Sequence, residues 1–507
     1  MTRWQGFARL VAPLLGAIVA TACGGVAGSS ASTSGGQGGA LSAAAAHIPS
    51  GDWPTFDYNS ARSGRAPSAG ITAANAGQLS LRTVRINGVA DSAPIELHAV
   101  KVGGRRRDVV VVTTTYGRTI AIDPVTGTRL WEFVPRGVNS SPGNPQVNTT
   151  SPTADPDRRF VYAAAPNGVI YKLSLATGHV AWARSVSFDS HHEKMDSALN
   201  LSGPYVVMVT GGYYGDAPPY DGHVAMISRS SGRLAHVWNT ECSNRHQLIR
   251  AGSCPTESTR SAIWGRAGTV IEPGSHRILT ATGNGAFNGR TGWGDSALEL
   301  NANASSLLHN WTPTNQAQLN DTDTDLGSTI PALVPTYHGY HLVVQGGKDS
   351  LLHLLNLRRL NGTTGGAGPR LGGELSQVGS PGGGLVATAP LATRVGGRIL
   401  VFVATSEGTA AYGLTGGSHP RLHTVWSSST PGTSPIMSGG LLLVYDEVNG
   451  QLVIRNPANG HVVRSLAAGQ GHWNSPIAVG GRIIEPTGNY HSSASSSVID
   501  IWHLPGR

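Results

Sequence analysis

One phrase returns along the chain and limits the folds that it can adopt. It reads "AIDPVTGTRLW" at residues 121–131, with an Asp and a Thr-Gly pair between a short apolar run and a Trp. Seven decayed copies follow, at residues 171–182, 225–238, 297–311, 354–362, 411–426, 452–463 and 498–504. The Asp position recurs on average about 54 residues apart. A period of this length indicates a repeat architecture.

Each repeat has the pattern of a small antiparallel sheet. A small residue followed by Pro precedes most copies, and an apolar run such as "VVVVTTT" comes next. Pro is tolerated at a strand start because it has no amide proton to give to the ladder. The Thr-Gly pair suits the tight turn between the last two strands. Composition agrees, because 68 Gly and 30 Pro punctuate the chain and no long apolar stretch has helical spacing.

Eight such units predict an all-β fold, an eight-bladed β-propeller of four-stranded antiparallel sheets. A closed ring buries the faces that a single sheet would expose, and a seven-bladed ring is the alternative. The recurrent Trp is predicted to fill the space between neighbouring sheets. The segment "GQLSLRTVRI" (77–86) has no sheet of its own, and the eighth copy ends without room for an outer strand. We therefore expect this N-terminal strand to complete the last blade.

The N-terminus has the pattern of an export signal. Two Arg residues precede "LVAPLLGAIVATA", an apolar run that is too short to span a bilayer. It ends in "ATAC", which resembles a bacterial lipobox. Residues 1–23 are therefore predicted to be a lipoprotein signal peptide with Cys23 as the lipidated residue. An ordinary cleaved signal peptide is the alternative.

The rest of the chain divides into a tether and a body. Residues 24–50 are rich in Gly, Ser and Ala and are predicted to be a disordered tether. Residues 51–507 hold the repeats and are predicted to be the propeller. Together these segments predict an extracytoplasmic protein that is anchored to the bacterial cell envelope by lipid alone.

Two cysteines remain after Cys23. Cys242 and Cys254 lie 12 positions apart in a Gly-containing loop. Export permits a disulfide between them, which would close a short ring worth roughly 2 to 3 kcal/mol. This separation excludes a CxxC metal or redox motif.

The charge distribution argues against nucleic acid as a partner. The formal charge is +8, but the 37 basic residues are scattered apart from Arg105, Arg106 and Arg107, which are predicted to form a solvated hairpin turn. A nucleic-acid binder needs a basic stripe with interleaved aromatic residues. The sequence has no such stripe.

Further motifs resemble those of a known family. The segment "DWPTFDYNSARSG" (52–64), followed by "NAGQLSLRTVRI", resembles the entry segment of quinoprotein (PQQ-dependent) alcohol dehydrogenases. The repeated A-x-D-x-x-T-G-x-x-x-W is similar to the tryptophan-docking motif of that family. The resemblance runs from about residue 50 to 505. It implies an eight-bladed propeller that holds pyrroloquinoline quinone (PQQ) and Ca²⁺ on its axis.

The resemblance also implies site residues. Trp264 in "AIWG" stands where the family has the Trp under the quinone, and Asn284 ends a "TGN" where it has a Ca²⁺ ligand. In "NDTDTDLGS", Asp325 stands where the family has its catalytic Asp, which also lies at the metal, and Asp323 is the second register. Lys348 in "VVQGGKDS" matches the Lys or Arg that contacts the quinone oxygens.

Other family positions are altered. Arg136 in "PRGV" is the candidate for the Arg that binds the carboxylates of PQQ. Tyr213 or Tyr214 stands where the family has a Glu ligand to Ca²⁺, so Asp216 or Asp221 would have to supply that carboxylate. The family's disulfide between adjacent cysteines has no counterpart.

The residue types suit this chemistry, although each has a structural alternative. An indole stacks on a flat cofactor, Ca²⁺ prefers carboxylate and amide oxygens, a carboxylate can accept a hydroxyl proton, and a cation stabilises charge on reduced oxygens. Alternatively, Trp264 is an inter-blade wedge, Asn284 occupies a turn, "DTDTD" is a solvated loop and Lys348 pairs with Asp349.

Two functions remain open at this stage. One is a PQQ- and Ca²⁺-dependent dehydrogenase of small-molecule alcohols or sugars. Because the sequence has no CxxCH haem motif, it would need a separate electron acceptor. The other is a non-catalytic envelope propeller that binds a protein or a polysaccharide. The motif "GHWNSP" has two interpretations under either function: His472, Trp473 and Asn474 could line an axial pocket, or the Trp could pack in the core.

Overall fold

The computed structural model describes residues 48–139, 146–212, 218–254, 260–360, 371–492 and 495–506. The signal peptide, Cys23 and nearly all of the tether lie outside these residues, so lipidation stays a prediction. Within the described part of the chain, no helix is both long and apolar enough to cross a membrane.

The fold is an eight-bladed β-propeller of four-stranded antiparallel sheets. The first four blades follow one another along the chain. Blade 1 contains Ile95–Val102, Arg105–Thr113, Thr119–Ile122 and Arg129–Phe133. Blade 2 contains Thr153–Ala154, Phe160–Ala165, Val169–Ser174 and Val180–Ser185. Blade 3 contains Asn200–Ser202, Tyr205–Val209, His223–Ser228 and Leu234–Asn239. Blade 4 contains Val270–Ile271, Ile278–Ala281, Ala297–Leu300 and Leu307–Trp311.

The second half repeats this order. Blade 5 contains Ala332–Tyr337, Tyr340–Gly346, Leu351–Asn356 and Ser376–Gly379. Blade 6 contains Leu391–Val395, Arg398–Thr405, Gly408–Thr415 and Arg421–Ser428. Blade 7 contains Ile436–Ser438, Leu441–Asp446, Gln451–Arg455 and Val462–Ala467. Blade 8 contains Ile477–Val479, Arg482–Thr487, Ser496–His503 and, from the N-terminal side, Ser80–Asn87.

Short elements decorate the blades. One α-helix, Gln316–Asp321, lies between blades 4 and 5. The described 3-10 turns are Ala76–Gln78, Leu326–Ser328, Leu357–Arg359 and Pro381–Gly383. Two small strand pairs join Glu193–Lys194 to Gly211–Gly212 and Arg65–Ala66 to the first strand of blade 7.

Ring closure follows the prediction. Ser80–Asn87 pairs antiparallel with Ser496–His503, from Ser80 opposite His503 to Asn87 opposite Ser496. The outer strand of blade 8 therefore comes from the start of the propeller, while its other three strands come from the end of the chain. Because blade 1 follows Ser80–Asn87 along the chain, this pairing ties blade 8 to blade 1 and closes the ring.

The recurrent Trp docks onto the next blade. Trp131, in the outer strand of blade 1, donates its indole N–H to the Leu175 carbonyl in blade 2 at 2.8 Å. Its ring covers Gly178, where an added Cβ would lie 2.7 Å from the indole. The same arrangement recurs between Trp182 and Gly232 and between Trp426 and Gly460. The Thr-Gly turn thus accepts the Trp of the preceding blade, which explains why the two occur in one phrase.

The entry segment ties the inner strands together. Arg62 is buried, and its guanidinium donates to the Phe56 and Leu199 carbonyls at 2.8 Å. The segment makes backbone or side-chain hydrogen bonds at five blades, through Trp53 to Glu96, Pro54 to Ala154, Arg62 to Leu199, Arg62 to Ala267 and Gly64 to Met437. It therefore links blades 1, 2, 3, 4 and 7 to one another.

The predicted disulfide is present. Cys242 and Cys254 are bonded, with their Cα atoms 5.9 Å apart. Both are buried with Ile249 in a small apolar cluster of the loop that follows blade 3. The bond closes this loop as the sequence predicts.

The docking contact yields a stability prediction. Gly178→Ala combines a φ of +72° with a Cβ that contacts Trp131. Gly137→Ala is the matched control, because its φ is +71° and an added Cβ would meet nothing within 4 Å. We expect Gly178→Ala to cost about 1 to 3 kcal/mol more than the control, the usual range for overpacking. Chemical denaturation measures both, and equal losses would show that docking contributes nothing.

Candidate functional site

Two neighbouring blades bring four of the predicted residues together. Trp264 precedes the first strand of blade 4, and Asn284 follows its second strand. Asp325 lies between the helix and the 3-10 turn that lead into blade 5, and Lys348 follows the second strand of that blade. In a propeller, the start of the first strand and the end of the second lie at the same end of the blade. The site is therefore built from one end of blades 4 and 5.

Lys348 and Asp325 form the centre of this cluster. The Lys348 ammonium lies 2.5 Å from a carboxylate oxygen of Asp325, and 3.5 Å from one of Asp323. The other Asp325 oxygen accepts the backbone N–H of Asn284 at 2.6 Å. The Asn284 side-chain amide donates to Asp323 at 3.2 Å. Asp325 and Asp323, the two candidates for the catalytic Asp, thus lie at one site. Asp325 is buried there and Asp323 is exposed.

Trp264 forms one wall of the cluster. The Lys348 ammonium lies 5.4 Å from the centre of its ring, within the range of a cation–π contact. Gly283 allows this close approach, because a Cβ there would lie 2.5 Å from Asp325 and 3.3 Å from the Trp264 indole nitrogen. The "TGN" motif therefore needs its Gly for space as well as its Asn for the amide.

Burial gives the cluster unusual electrostatics. It raises the pKa of the Asp325 carboxyl, and the Lys348 ammonium opposes that rise. Asp295, which is fully buried, has a pKa raised well above its usual range by burial, with the nearby Asp325 charge adding to the effect. Three carboxyl groups thus share one ammonium. One ammonium therefore balances only part of the negative charge that these groups would carry if all were ionised.

Asp295 connects the two loops that carry the site. One carboxylate oxygen accepts the Leu326 backbone N–H at 3.1 Å, and its own backbone N–H donates to Gly283 at 2.9 Å. Gln316 adds a hydrogen bond to the Gly285 carbonyl at 3.0 Å. Asp295 could not be predicted as a site residue, because an Asp in a Gly-rich turn before a strand is a common loop pattern.

The structure does not bring every predicted residue to the cluster. Arg136 is exposed after the outer strand of blade 1, whereas the cluster lies on loops of blades 4 and 5. Asp216 lies outside the described residues, as do Tyr213 and Tyr214. Asp221 is buried, and burial raises its pKa to about 7; its charge acts on Glu193 rather than on the cluster.

Blade 8 adds a second group of side chains beside the first. Trp473 meets Trp264 edge to face, with ring centres 6.4 Å apart. His472 is half-buried, and its Nδ1 lies 2.9 Å from the Asp91 carboxylate. Asn474 is instead fully buried and holds the backbone, accepting the His472 N–H at 2.9 Å. Of the "GHWNSP" motif, His472 and Trp473 face the site and Asn474 supports them.

No complete metal site is visible in the described ranges. They contain no group of three or more His, Cys, Asp or Glu side chains arranged to hold a metal ion. The oxygen donors at hand are the Asp325 carboxylate and the Asn284 amide. Their chemistry fits Ca²⁺, and a further ligand would have to come from elsewhere.

Comparison with known proteins shows a family match over part of the chain. Residues 89–251 match the PQQ_2 family, described as outer membrane protein assembly factor BamB. None of the curated proteins matches the sequence.

Solved structures share the fold at low identity. The quinohaemoprotein alcohol dehydrogenase of Comamonas testosteroni is 14% identical with a TM-score of 0.63, over 90% of this chain and 81% of its own. The enzyme ADHIIG of Pseudomonas putida HK5, of the same kind, is 12% identical with a TM-score of 0.64 over the same shares. A europium-containing methanol dehydrogenase is 13% identical with a TM-score of 0.65, over 89% of this chain and 98% of its own.

The raised pKa of Asp295 yields a prediction about stability and pH. The folded state keeps this proton to higher pH than the unfolded chain, in which an Asp titrates near about 4. Its contribution to stability is therefore complete below that pH and is lost as the pH rises towards the folded pKa. Asp295→Asn cannot titrate, so we expect its melting temperature relative to wild type to increase between pH 5 and pH 8. The exposed Asp321→Asn is the control, and parallel curves for Asp295→Asn and wild type would contradict the prediction.

Proposed function

We propose that this chain, a β-propeller built from PQQ repeats, is a PQQ- and Ca²⁺-dependent dehydrogenase that oxidises alcohols or sugars outside the cytoplasmic membrane. The observation that carries the proposal is the meeting of Trp264, Asn284, Asp325 and Lys348 in one cluster. These residues lie on separate loops, and their types are those that a flat, acidic quinone and a hard cation require.

The residues divide the work as follows. Trp264 is half-buried and would offer an indole surface on which a flat ring can stack. Asn284 and Asp325 would supply oxygen ligands to the cation. PQQ and Ca²⁺, when bound, supply a two-electron acceptor and a Lewis acid.

Two charged side chains would act on the reaction itself. Asp325 would accept the proton of the substrate hydroxyl, a role for which burial and a raised pKa prepare a carboxylate. Lys348 would place its positive charge next to the quinone oxygens, which become negative when the quinone is reduced. The present ion pair between the two side chains keeps both in place. Electrons would leave to a separate acceptor.

The proposed location rests on two features of the chain. Its first 23 residues read as an export signal ending in Cys23, which we propose as the lipid anchor. The disulfide between Cys242 and Cys254 fits an oxidising compartment, since such bonds are rare in the cytosol.

One observation favours a different function. The match of residues 89–251 to a family described as an outer membrane assembly factor agrees with a non-catalytic envelope scaffold. Such a scaffold would need neither Lys348 nor Asp325 to bind its partner. The dehydrogenase would bind PQQ and the scaffold would not, so PQQ binding distinguishes the two functions.

Cofactor titration tests the proposal. PQQ added with Ca²⁺ to the purified protein should quench tryptophan fluorescence, since Trp264 would stack on the ring. An alcohol and sugar panel with an electron-accepting dye then measures turnover. An absence of quenching at micromolar PQQ would rule out the dehydrogenase and leave the scaffold.

Two variants separate the roles of the charged pair. We expect Lys348→Ala to weaken PQQ binding by about tenfold or more, because it removes a hydrogen bond to a charged group. Asp325→Asn keeps an oxygen ligand for the cation, so PQQ binding should stay within a few-fold, but it removes the base and should lower kcat by about 10²- to 10⁴-fold. The exposed Lys101→Ala is the control. Equal effects of the two variants on binding and kcat would contradict this division.

A further inference from the structure

Five aromatic rings form a continuous patch beside the cluster. The patch consists of Trp264, Trp473, His472, Tyr490 and His491. Trp473 meets Trp264 at 6.4 Å and His472 at 4.4 Å between ring centres. His472 also lies 5.4 Å from Tyr490, and the Tyr490 and His491 rings are 3.9 Å apart. None of the five rings belongs to the buried core, so the patch presents aromatic surface to solvent.

One buried carboxylate holds most of this patch in place. Asp91 is fully buried and accepts the backbone N–H of Trp473 at 2.7 Å and that of Tyr490 at 3.2 Å. Asp91 also pairs with the His472 ring, whose Nδ1 lies 2.9 Å from a carboxylate oxygen of Asp91. Arg266, also buried, lies behind Trp473 at 5.7 Å from the ring centre. The rings are therefore fixed by backbone bonds from a second loop, which is how a preorganised binding surface is built.

The Asp91 contact also decides which nitrogen of His472 faces outward. The His472 ring lowers the pKa of Asp91, opposing the effect of burial, so Asp91 is a carboxylate and accepts a hydrogen bond. Because Nδ1 of the His472 ring faces Asp91, Nε2 is the ring nitrogen that remains for a ligand hydroxyl. About a quarter of the His472 side chain is exposed, at 23%. The patch thus carries an imidazole ring whose orientation Asp91 fixes and which can hydrogen-bond a ligand hydroxyl.

Cationic groups lie at the edges of the patch. The Lys194 ammonium is 4.8 Å from the Tyr490 ring centre and 2.7 Å from Asp196. At the opposite edge, Lys348 lies over Trp264. A ligand on the patch would therefore meet aromatic faces in the middle and hydrogen-bonding groups around them.

We infer that the aromatic patch around the Asp91–His472 pair is a saccharide-binding site. A sugar ring has apolar C–H faces that pack on indole and phenol rings. Its hydroxyl groups need partners when they leave water, and the His472 ring, held by Asp91, can hydrogen-bond one of them. A short aliphatic alcohol could use only a small part of this surface. The patch therefore favours a sugar or oligosaccharide.

The inference deepens the proposed function and rests on it in one respect: a bound sugar is a substrate only if the protein is a dehydrogenase. It selects sugars from the two substrate classes of the proposed dehydrogenase. It also applies to the scaffold, for which the same patch would bind a polysaccharide. Binding itself requires no cofactor and can be measured alone.

Calorimetric titration of the full chain without cofactor tests the inference. The probes are D-glucose and cellobiose, with ethanol and 1-butanol as aliphatic comparisons. We expect cellobiose to bind at least tenfold more tightly than 1-butanol. Trp473→Ala and His472→Ala should each weaken cellobiose binding by about tenfold, equivalent to about 1.4 kcal/mol. Trp473→Phe keeps an aromatic face and should retain most of the affinity, which separates loss of the platform from loss of folding.

A surface histidine provides the matched control. His461 is exposed on a turn of blade 7, and His461→Ala should bind cellobiose as wild type does. Failure of both sugars to bind better than the alcohols would overturn the inference. Binding that is unchanged in Trp473→Ala and His472→Ala would also overturn it.

The two proposals fail in different ways. Sugar binding without any PQQ binding would refute the dehydrogenase and support a polysaccharide-binding propeller. PQQ binding without sugar binding would refute the inference and leave a dehydrogenase of other alcohols. Because the two titrations use different ligands, neither failure hides the other.

Discussion

Closure of the ring is the constraint on which the rest of this structure depends. A four-stranded sheet has two apolar faces and cannot bury both alone, so each blade relies on its neighbours. Pairing of Ser80–Asn87 with Ser496–His503 joins the ends of the chain and leaves no blade without a neighbour. The indole of Trp131 on Gly178 adds a directional contact at the blade boundary. The ring also holds blades 4 and 5, which carry the cluster, next to the loop before blade 8, where Trp473 contacts Trp264.

Burial inside the ring gives the polar residues their chemistry. Asp325 and Asp295 would be ordinary carboxylates in solvent, yet burial raises the pKa of both groups. Lys348 offsets part of the cost by pairing with Asp325. Asp91 shows the opposite outcome, because its bonds to His472 and to backbone N–H groups lower its pKa despite complete burial. The fold thus holds one buried carboxyl whose pKa is raised and another whose pKa is lowered.

Local patterns predicted much of the architecture but only part of the site. The period, the Thr-Gly turns and the spare N-terminal strand were enough for the eight blades and their closure. Family resemblance placed Trp264, Asn284, Asp325 and Lys348, and the structure brings them together. It did not find Asp91, whose partner His472 is 381 positions away along the chain. Arg136 matched a short motif, but its loop holds it exposed and outside the cluster contacts.

The sequence by itself determined the repeat, the strand order and the residue types that converge on the axis. These follow from short-range rules, since apolar alternation, Pro and Gly act within a few residues. Tertiary structure alone decided which groups touch, which carboxyls are buried and which rings remain exposed. Such properties depend on the position of every blade in the closed ring. The pairing of Asp91 with His472 across the closure, and the aromatic surface that it supports, is therefore a product of the fold and not of any local motif.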